Sequence, residues 1–341
     1  MDTDAPIKSP TPTGLPLVRL NLIQPFIQTL NYRGIDADAV LMRNGLVKST
    51  VMDPTIFVPV IVVHRFLEDA AEAAADPLLG TAVGESLDLT QWAPFVDAVT
   101  NSTTLLDFLV RFIRGASDEA SSARHALELD SRHTFFREIR TSDQEIPPAQ
   151  NDAFTAAYLL NLIKRAVGDH WIGSEVIVKV CERKVLPPRY LDASIVEGDY
   201  MGVWVRFPTN WLLYQLDKSL MTAVAPNQSN HTQLPVGFKE ALRSALKLHL
   251  SNPDLRVDQV AQLLGMSRQS LQRKLKASGT TLSAELTELR KQRAIQELSN
   301  SSKSIVNVAN SAGFTNSTSF TRAFKSWTGE SPREYRKNHR Q

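Results

Sequence analysis

The C-terminal end of the sequence contains one short helical unit twice, and this repeat constrains the fold more than any other feature. The first copy, VAQLLGMSRQSLQRKLKASG, covers residues 260–279, and the second, VANSAGFTNSTSFTRAFKSWTG, covers 308–329. Gly265 and Gly313 occupy equivalent positions, where a helix end favours a left-handed residue. With one extra residue in the second copy, Leu-x-Arg-x-Leu-Lys falls on Phe-x-Arg-x-Phe-Lys. Two short helices around a glycine-containing turn predict a helix-turn-helix in each copy.

The second helix of each copy has an apolar side and a polar side. Leu271 and Leu275 lie one turn apart in the first copy, as Phe320 and Phe324 do in the second, and we expect both pairs in the core. The polar types left outside suit DNA, because Arg can bond guanine and Gln can bond adenine through two hydrogen bonds. Any solvent-exposed helix has a polar face, but two matching copies favour a DNA-contacting surface. The residues on it are Gln269, Gln272 and Arg273, then Ser317, Thr318, Thr321 and Arg322.

Charge is divided unequally along the chain, although the formal net charge is only +2. Residues 232–341 hold 18 Lys and Arg against 8 Asp and Glu, whereas residues 1–231 have an excess of acidic groups. Such asymmetry is typical of a nucleic-acid-binding part attached to another domain. Lys274, Lys276 and Lys325 are suited to phosphate, where they would position the protein without reading sequence.

Helices are predicted on either side of the first copy. Residues 238–250 place Phe238, Leu242, Ala245, Leu246 and Leu250 on one apolar stripe. Residues 281–299 form a connector helix between the copies, about 27 Å long at 1.5 Å per residue. Because adjacent major grooves lie about 34 Å apart, such a connector allows one chain to reach two consecutive grooves. Ahead of these helices, residues 225–235 have the polar, proline-flanked composition of a linker.

The first 231 residues predict a mixed α/β domain with a disordered, proline-rich start. Helical periodicity occurs at 60–76, 105–113 and 153–167, and β-branched or aromatic stretches predict strands at 134–140, 174–183 and 202–208. Seven aromatic residues could line an apolar pocket, but such residues more often lie in a core. They are Trp92, Phe95, Phe108, Trp171, Trp204, Trp211 and Tyr214.

The sequence favours a non-enzymatic, cytoplasmic protein without metal or cofactor. The single cysteine, Cys181, excludes an intramolecular disulfide and a cysteine-rich zinc site. His spacing for a metal, phosphate-binding glycine loops and the G-x-S-x-G nucleophile motif are all absent from the sequence. The start has no basic-then-apolar signal pattern, and no apolar run is long enough to span a bilayer. Basic neighbours leave open a redox-responsive thiolate at Cys181, although a small buried apolar role is expected.

Residues 238–337 resemble the DNA-binding domain of the AraC/XylS family of transcription regulators. The resemblance is strongest in the second copy and rests on Ala309, Gly313, Phe314, Asn316, Ser319, Phe320, Arg322, Phe324, Lys325, Gly329, Ser331, Pro332, Tyr335 and Arg336. It implies that Gln269, Gln272 and Arg273 enter one groove and that Thr318, Thr321 and Arg322 enter the next. Ser267, Arg268, Asn316 and Ser317 would flank them. The first copy departs from the family at Arg256, where a capping Ser or Thr is usual, so we expect a frayed helix start there.

The amino-terminal half resembles, through fewer residues, the arabinose-binding-like sensing and dimerisation domain of that family. The residues are Asn44-Gly45-Leu46, Asp76-Pro77-Leu78-Leu79-Gly80 and the LLDFL stretch at 105–109. The family implies promoter DNA, a second copy of the chain and a small organic effector as partners, with RNA polymerase as a further one. We therefore expect an α+β sensing domain in 1–231 and an all-α domain in 232–341, with two helix-turn-helix motifs joined by a connector helix. The alternative is an architectural or redox-responsive DNA-binding protein without an effector.

Overall fold

The computed structural model describes residues 15–88, 93–216, 234–235 and 237–339. Contacts divide the chain into two compact units, Met1–Leu234 and Pro235–Gln341. The first unit is mixed α/β and the described part of the second is helical, so the predicted fold class is confirmed. The predicted disordered start, Trp92 and all of the predicted linker except Leu234 and Pro235 lie outside the described residues.

The first unit contains two sheets. A short antiparallel pair joins β1 to β2, and a five-stranded sheet has the order β3-β4-β7-β5-β6. Neighbours in the larger sheet are antiparallel except β5 and β6, which are parallel. The strands are β1 Leu17–Arg19, β2 Phe57–Pro59, β3 Ala123–Leu129, β4 His133–Arg140, β5 Ile177–Val180, β6 Ser194–Glu197 and β7 Trp204–Pro208.

Helices surround these sheets, and the longest of them is buried on nearly every side. They are α1 Gln24–Tyr32, α2 Ala37–Arg43, α3 Lys48–Val51, α4 Val60–Ala73, α5 Leu79–Glu85, α6 Ala93–Thr100, α7 Leu105–Ala116 and α8 Ala149–Val167. Helix α5 packs closely on α8 because it carries glycines at the contact. A Cβ atom at Gly80 would lie 2.4 Å from the Gln150 carbonyl oxygen, and one at Gly84 would lie 2.6 Å from that of Phe154.

The three predicted helices and three predicted strands of this unit are confirmed, although β5 and β7 are shorter than predicted. Strands β1, β2, β3 and β6 were missed, since β3 has no buried side chain and the other three have only three or four residues. Three of the seven aromatic residues, Phe95, Phe108 and Trp211, belong to the main core. The sequence analysis gave this as the more common position for such residues.

The second unit consists of α9 Phe238–Leu246, α10 Val257–Leu263, α11 Arg268–Ala277, α12 Leu282–Asn300, α13 Ile305–Ser311, α14 Ser317–Thr328 and α15 Pro332–His339. The predicted apolar stripe from Phe238 to Leu250 is buried, although the α-helix ends at Leu246 and continues as one 3-10 turn. The connector is confirmed as α12, a helix of 19 residues. Both turn glycines are left-handed, with φ of 61° at Gly265 and 76° at Gly313.

The start of α10 corrects the expectation of fraying. An Arg side chain cannot accept a hydrogen bond from the helix, and Arg256 gives α10 no side-chain cap in the usual direction. Gln259 supplies the reciprocal half of a capping box, because its Oε1 accepts from the Arg256 backbone N–H at 2.9 Å. One unsatisfied donor at the helix start is thereby satisfied.

Candidate nucleic-acid interface and ligand cavity

The second helix of each repeated unit presents its polar residues outward because its apolar pair is fixed in the core. Leu271 and Leu275 of α11 are buried, and Phe320 and Phe324 of α14 are fully buried. Gln269, Gln272 and Arg273 are exposed on α11. Ser317, Thr318 and Arg322 are exposed on α14, and Thr321 is half-buried beside them. Each copy therefore offers a polar helix face to a partner.

The flanking candidates are also exposed, and each already serves the local fold. Ser267 caps α11 by accepting from the Ser270 N–H at 3.2 Å, and Asn316 caps α14 by accepting from the Ser319 N–H at 2.8 Å. A capping side chain is held in one orientation, and its remaining donor is free for phosphate. Arg268 is paired with Asp258 at 3.1 Å. Such an exposed pair is weak enough to exchange for a phosphate.

Two arginines at equivalent positions are uncommitted. Within the described residues, neither Arg273 nor Arg322 has a hydrogen bond, an ion pair or a ring contact. By contrast, Thr321 Oγ1 donates to the Ser317 carbonyl oxygen at 2.7 Å. The guanidinium groups of Arg273 and Arg322 can therefore bind a partner without the loss of any internal contact.

The connector α12 is joined to each copy by a glutamate that the sequence analysis missed. Glu285 is almost fully buried and accepts from Thr280 Oγ1 at 2.6 Å and Arg243 Nε at 2.5 Å. Burial alone would raise the pKa of Glu285, but these two bonds and the nearby Lys239 hold it below its ordinary value. The ionised carboxylate thus fixes the start of α12 against α9 and the end of the first copy.

Glu297 performs the equivalent role toward the second copy. It accepts from Ser311 Oγ at 2.7 Å and from Lys303 Nζ at 3.0 Å. Burial raises the pKa of Glu297, but these contacts and Arg293 more than compensate, so it too lies below its ordinary value. The spacing of the two copies along α12 is therefore held by charge as well as by apolar packing.

The amino-terminal unit contains a partly open cavity of about 910 Å³, lined by residues from its first helix, from α4, α5 and α8, and from strands β3 and β4. Most of the lining is apolar, and a polar group at one side includes His64, His125, Glu138 and Arg140. Strand alternation explains part of this group, because Phe136, Glu138 and Arg140 share one face of β4 and Phe136 is fully buried. The sequence analysis missed this group, although the alternation in TFFREIR was the signal that could have indicated it.

None of the seven aromatic residues considered as pocket-lining from sequence borders this cavity among the described residues. The main core contains Phe95, Phe108 and Trp211, and Trp171 and Tyr214 pack against it, which agrees with the core positions that the sequence analysis favoured over a pocket. The cavity instead has Phe26, Phe154 and Tyr158 in its lining.

Cys181 does not have the environment of a reactive thiolate. It is buried, and burial together with the Asp152 carboxylate raises the pKa of its thiol far above the ordinary value. The basic neighbours are engaged elsewhere, Lys179 with Asp199 and Lys184 with Glu182. The small, buried apolar role expected for Cys181 is the one that its surroundings support.

The fold and the two polar helix faces define a protein with an amino-terminal α/β domain and a double helix-turn-helix domain. Residues 260–338 match the model of a helix-turn-helix domain. Residues 34–183 match the model of the N-terminal arabinose-binding domain of the AraC transcription regulator. The chain belongs to the AraC family of transcription regulators. In the described residues, no helix is long and apolar enough to cross a membrane.

Individual relatives match over parts of their length. The ornithine utilization regulator of Pseudomonas aeruginosa is 40% identical over 84 residues, which are 25% of this chain and 24% of the relative. The HTH-type transcriptional regulator VqsM of the same species is 30% identical over 167 residues, 44% of this chain and 51% of the relative. The chain thus matches about a quarter of the first relative and about half of the second.

Two solved structures are also similar. Transcriptional regulator CdpR from Pseudomonas aeruginosa is 16% identical with a TM-score of 0.39, over 93% of this chain and 98% of that one. An AraC-type regulator from Chromobacterium violaceum is 33% identical with a TM-score of 0.27, over 29% of this chain and 89% of that one. TM-scores this low support no conclusion about the arrangement of the whole chain.

Proposed function

We propose that this protein is a sequence-specific transcription regulator that reads two adjacent major grooves with α11 and α14. The observation that carries the proposal is the presence of uncommitted Arg273 and Arg322 at equivalent places on two exposed recognition helices. The proposed contacts to bases are Gln269, Gln272 and Arg273 in one groove and Thr318, Thr321 and Arg322 in the next. Ser267, Arg268, Asn316 and Ser317 would contact the flanking phosphates.

The length of α12 supports the proposal that one chain contacts two adjacent major grooves. Its 19 residues span about 28 Å, close to the separation of about 34 Å between successive major grooves on one side of DNA. Glu285 binds Arg243 of α9 and Thr280 just after the first copy, and Glu297 binds Ser311 of the second copy, so these contacts would limit changes in the spacing of the copies before DNA is bound. Such pre-organisation reduces the entropy lost on binding.

Control by the amino-terminal unit belongs to the same proposal. The unit would bind a small organic effector in its cavity and pair with a second copy of the chain, and the effector would change how the DNA-binding units engage DNA half-sites. The protein would act in the cytoplasm through binding, without catalysis, with RNA polymerase as a further partner. If residues 232–341 alone bind and activate as the whole chain does under all conditions, this control is absent.

The test is genome-wide mapping of the intact protein, repeated with Arg273→Ala and Arg322→Ala. Each substitution is expected to cost ~1–3 kcal/mol of base discrimination, at positions about one DNA turn apart. Arg333→Ala is the matched control, since it removes one exposed charge outside the recognition helices. Sharp sites with a two-part motif that are lost in the first two variants and kept in the control would support sequence reading. Broad occupancy that survives all three substitutions would instead mean architectural, electrostatic binding.

A further inference from the structure

The charged groups that line the amino-terminal cavity differ in how closely they are paired with other groups. Arg33 pairs with Asp76 at 2.7 Å, and Glu119 pairs with Arg19 at the same distance. Glu138 differs from them, because each of its contacts in the described residues is long. The nearest donors to its carboxylate are Thr155 Oγ1 at 3.3 Å, Asn151 Nδ2 at 3.4 Å, His125 Nε2 at 3.7 Å and Arg140 Nη2 at 3.9 Å.

The guanidinium beside Glu138 is already committed. Arg140 Nη1 donates to the Tyr200 carbonyl oxygen at 2.9 Å, and Nη2 donates to the Asp152 carboxylate. One cation therefore serves two carboxylates, with only 3% of the Arg140 side chain and 11% of the Glu138 side chain exposed. The pKa of Glu138 still lies below its ordinary value, since the His125 ring and Arg140 outweigh the effect of burial. Glu138 therefore favours its ionised form without any hydrogen bond shorter than 3.3 Å in the described residues, whereas burial raises the pKa of the neighbouring Asp152.

Two further polar atoms in the cavity lining have no partner. His64 Nδ1 and Asn21 Oδ1 are buried without a hydrogen bond in the described residues. Burial, reinforced by Arg140, lowers the pKa of His64 to about 4, so the ring is neutral at pH 7 and one of its nitrogens can accept.

An aromatic wall lies on the same cavity. Phe26 and Phe154 have ring centroids 5.6 Å apart, and Phe154 and Tyr158 have theirs 5.4 Å apart. Aromatic faces attract cations, most strongly where water is excluded. Tyr158 stays neutral because burial raises its pKa well above the ordinary value. The aromatic faces of the wall therefore favour a positive group.

We propose that the cavity binds a small organic molecule that carries a protonated amine and an apolar body. The ammonium group donates to the Glu138 carboxylate, while the apolar body lies along Phe154 and the aliphatic lining. An anionic ligand is disfavoured because the ionised Glu138 would repel it, and two of the five N–H donors of Arg140 are engaged by Tyr200 and Asp152. This inference rests on the proposed function, in which the cavity is the effector site.

The experiment measures ligand binding to the full chain without DNA, by thermal shift and by calorimetric titration. The probes are phenethylamine and straight-chain primary amines of four to ten carbons, each compared with the carboxylic acid and the alcohol of the same length. We expect concentration-dependent stabilisation by at least one amine, with the matched acid and alcohol binding at least about tenfold more weakly.

The variants separate the charge from the aromatic wall. Glu138→Gln keeps the shape of the side chain and is expected to weaken amine binding at least about tenfold, through loss of a charge-assisted hydrogen bond. Phe154→Leu keeps the apolar volume and is expected to weaken it roughly threefold to tenfold. Glu145→Gln is the matched control, since Glu145 is exposed and lies outside the cavity lining, and it should bind as the natural chain does.

Three outcomes overturn the inference: an acid that binds more tightly than its amine, an alcohol that binds equally well, or a full set of amines without effect. Amine binding unchanged in Glu138→Gln would also overturn it. Failure of the proposed function is observed separately, in DNA binding by the Arg273 and Arg322 variants. If an amine binds the cavity but does not change the affinity of the chain for DNA, the proposed ligand class is supported. In that case only the proposed control of DNA binding is contradicted.

Discussion

The two helix-turn-helix copies have the same backbone plan and different cores. The first copy holds its recognition helix with Leu271 and Leu275, whereas the second holds it with Phe320 and Phe324. Around the second pair, an aromatic cluster adds Phe314, Trp327 and Tyr335, with ring centroids 5.3 to 6.5 Å apart. The first copy has aliphatic packing and a helix start capped in only one direction.

This difference shows that one pattern of exposed polar residues is compatible with cores of different rigidity. Aromatic residues bury more area than leucine and gain from edge-to-face contacts, so the second copy should open less readily than the first. The positions proposed to contact DNA depend only on helix geometry, which both cores maintain. The following changes test the comparison, beginning with the largest expected effect.

Gly313→Ala should have the largest effect, because it disrupts the turn of the more rigid copy. A Cβ atom there would lie 2.3 Å from the Leu250 carbonyl oxygen and 2.8 Å from the Arg290 guanidinium, at a φ of 76°. We expect a loss of more than about 3 kcal/mol, from strain and displacement of backbone. Hydrogen exchange by mass spectrometry should show peptides from 305–339 losing protection before those from 257–279.

Gly329→Ala is the control for that change, since it has a φ of 85° and no atom within 4 Å of the added Cβ. It should cost only about 1–2 kcal/mol, the price of a left-handed alanine. Equal effects of the two substitutions would mean that backbone conformation alone matters and that the contact with Leu250 is unimportant.

The substitutions Glu285→Gln and Glu297→Gln measure how much each carboxylate of the connector α12 contributes to stability. Both carboxyls have a folded pKa below the ordinary 4.5, so each stabilises the fold above that pH and loses the effect as pH falls through the folded pKa. At pH 7 we expect a loss of about 2 kcal/mol for Glu285→Gln and about 1 kcal/mol for the more exposed Glu297→Gln. Denaturant unfolding at pH 7 and in acid should show the difference from the natural chain shrinking as pH drops below 4.5. A difference that grows in acid would mean that the pKa shifts have the opposite sign.

Helix caps give the smallest expected effects. Arg256→Ser should stabilise α10 by about 0.5–1 kcal/mol, since a hydroxyl can accept from the helix start while Gln259 keeps its own bond. Asn316→Ala should cost about 1 kcal/mol by removing the bond to the Ser319 N–H. Thermal unfolding of the two variants measures the expected gain in stability for Arg256→Ser and the expected loss for Asn316→Ala. A destabilised Arg256→Ser would show that the arginine contributes more to α10 than the missing cap costs.

Much of the DNA-binding unit could be predicted from sequence because its elements are local. Helix periodicity placed the buried pairs Leu271/Leu275 and Phe320/Phe324, and the turn glycines followed from chain chirality. The amino-terminal sheet was harder. Its order, β3-β4-β7-β5-β6, brings together strands far apart in the chain, and no local pattern encodes which strands become neighbours.

The sequence by itself determined two helix-turn-helix copies, their buried pairs and the polar residues that face outward, since each depends on residues within about two turns of one another. Only the tertiary structure decided where Glu138, Arg140, His64 and Asn21 meet around one cavity, and where Glu285 and Glu297 anchor the connector. Alternation such as that in TFFREIR indicates which face of a strand a polar residue shares, but whether that face is buried depends on what packs against it from distant segments. Local geometry therefore determined the proposed DNA-reading residues, and long-range packing determined the ligand site.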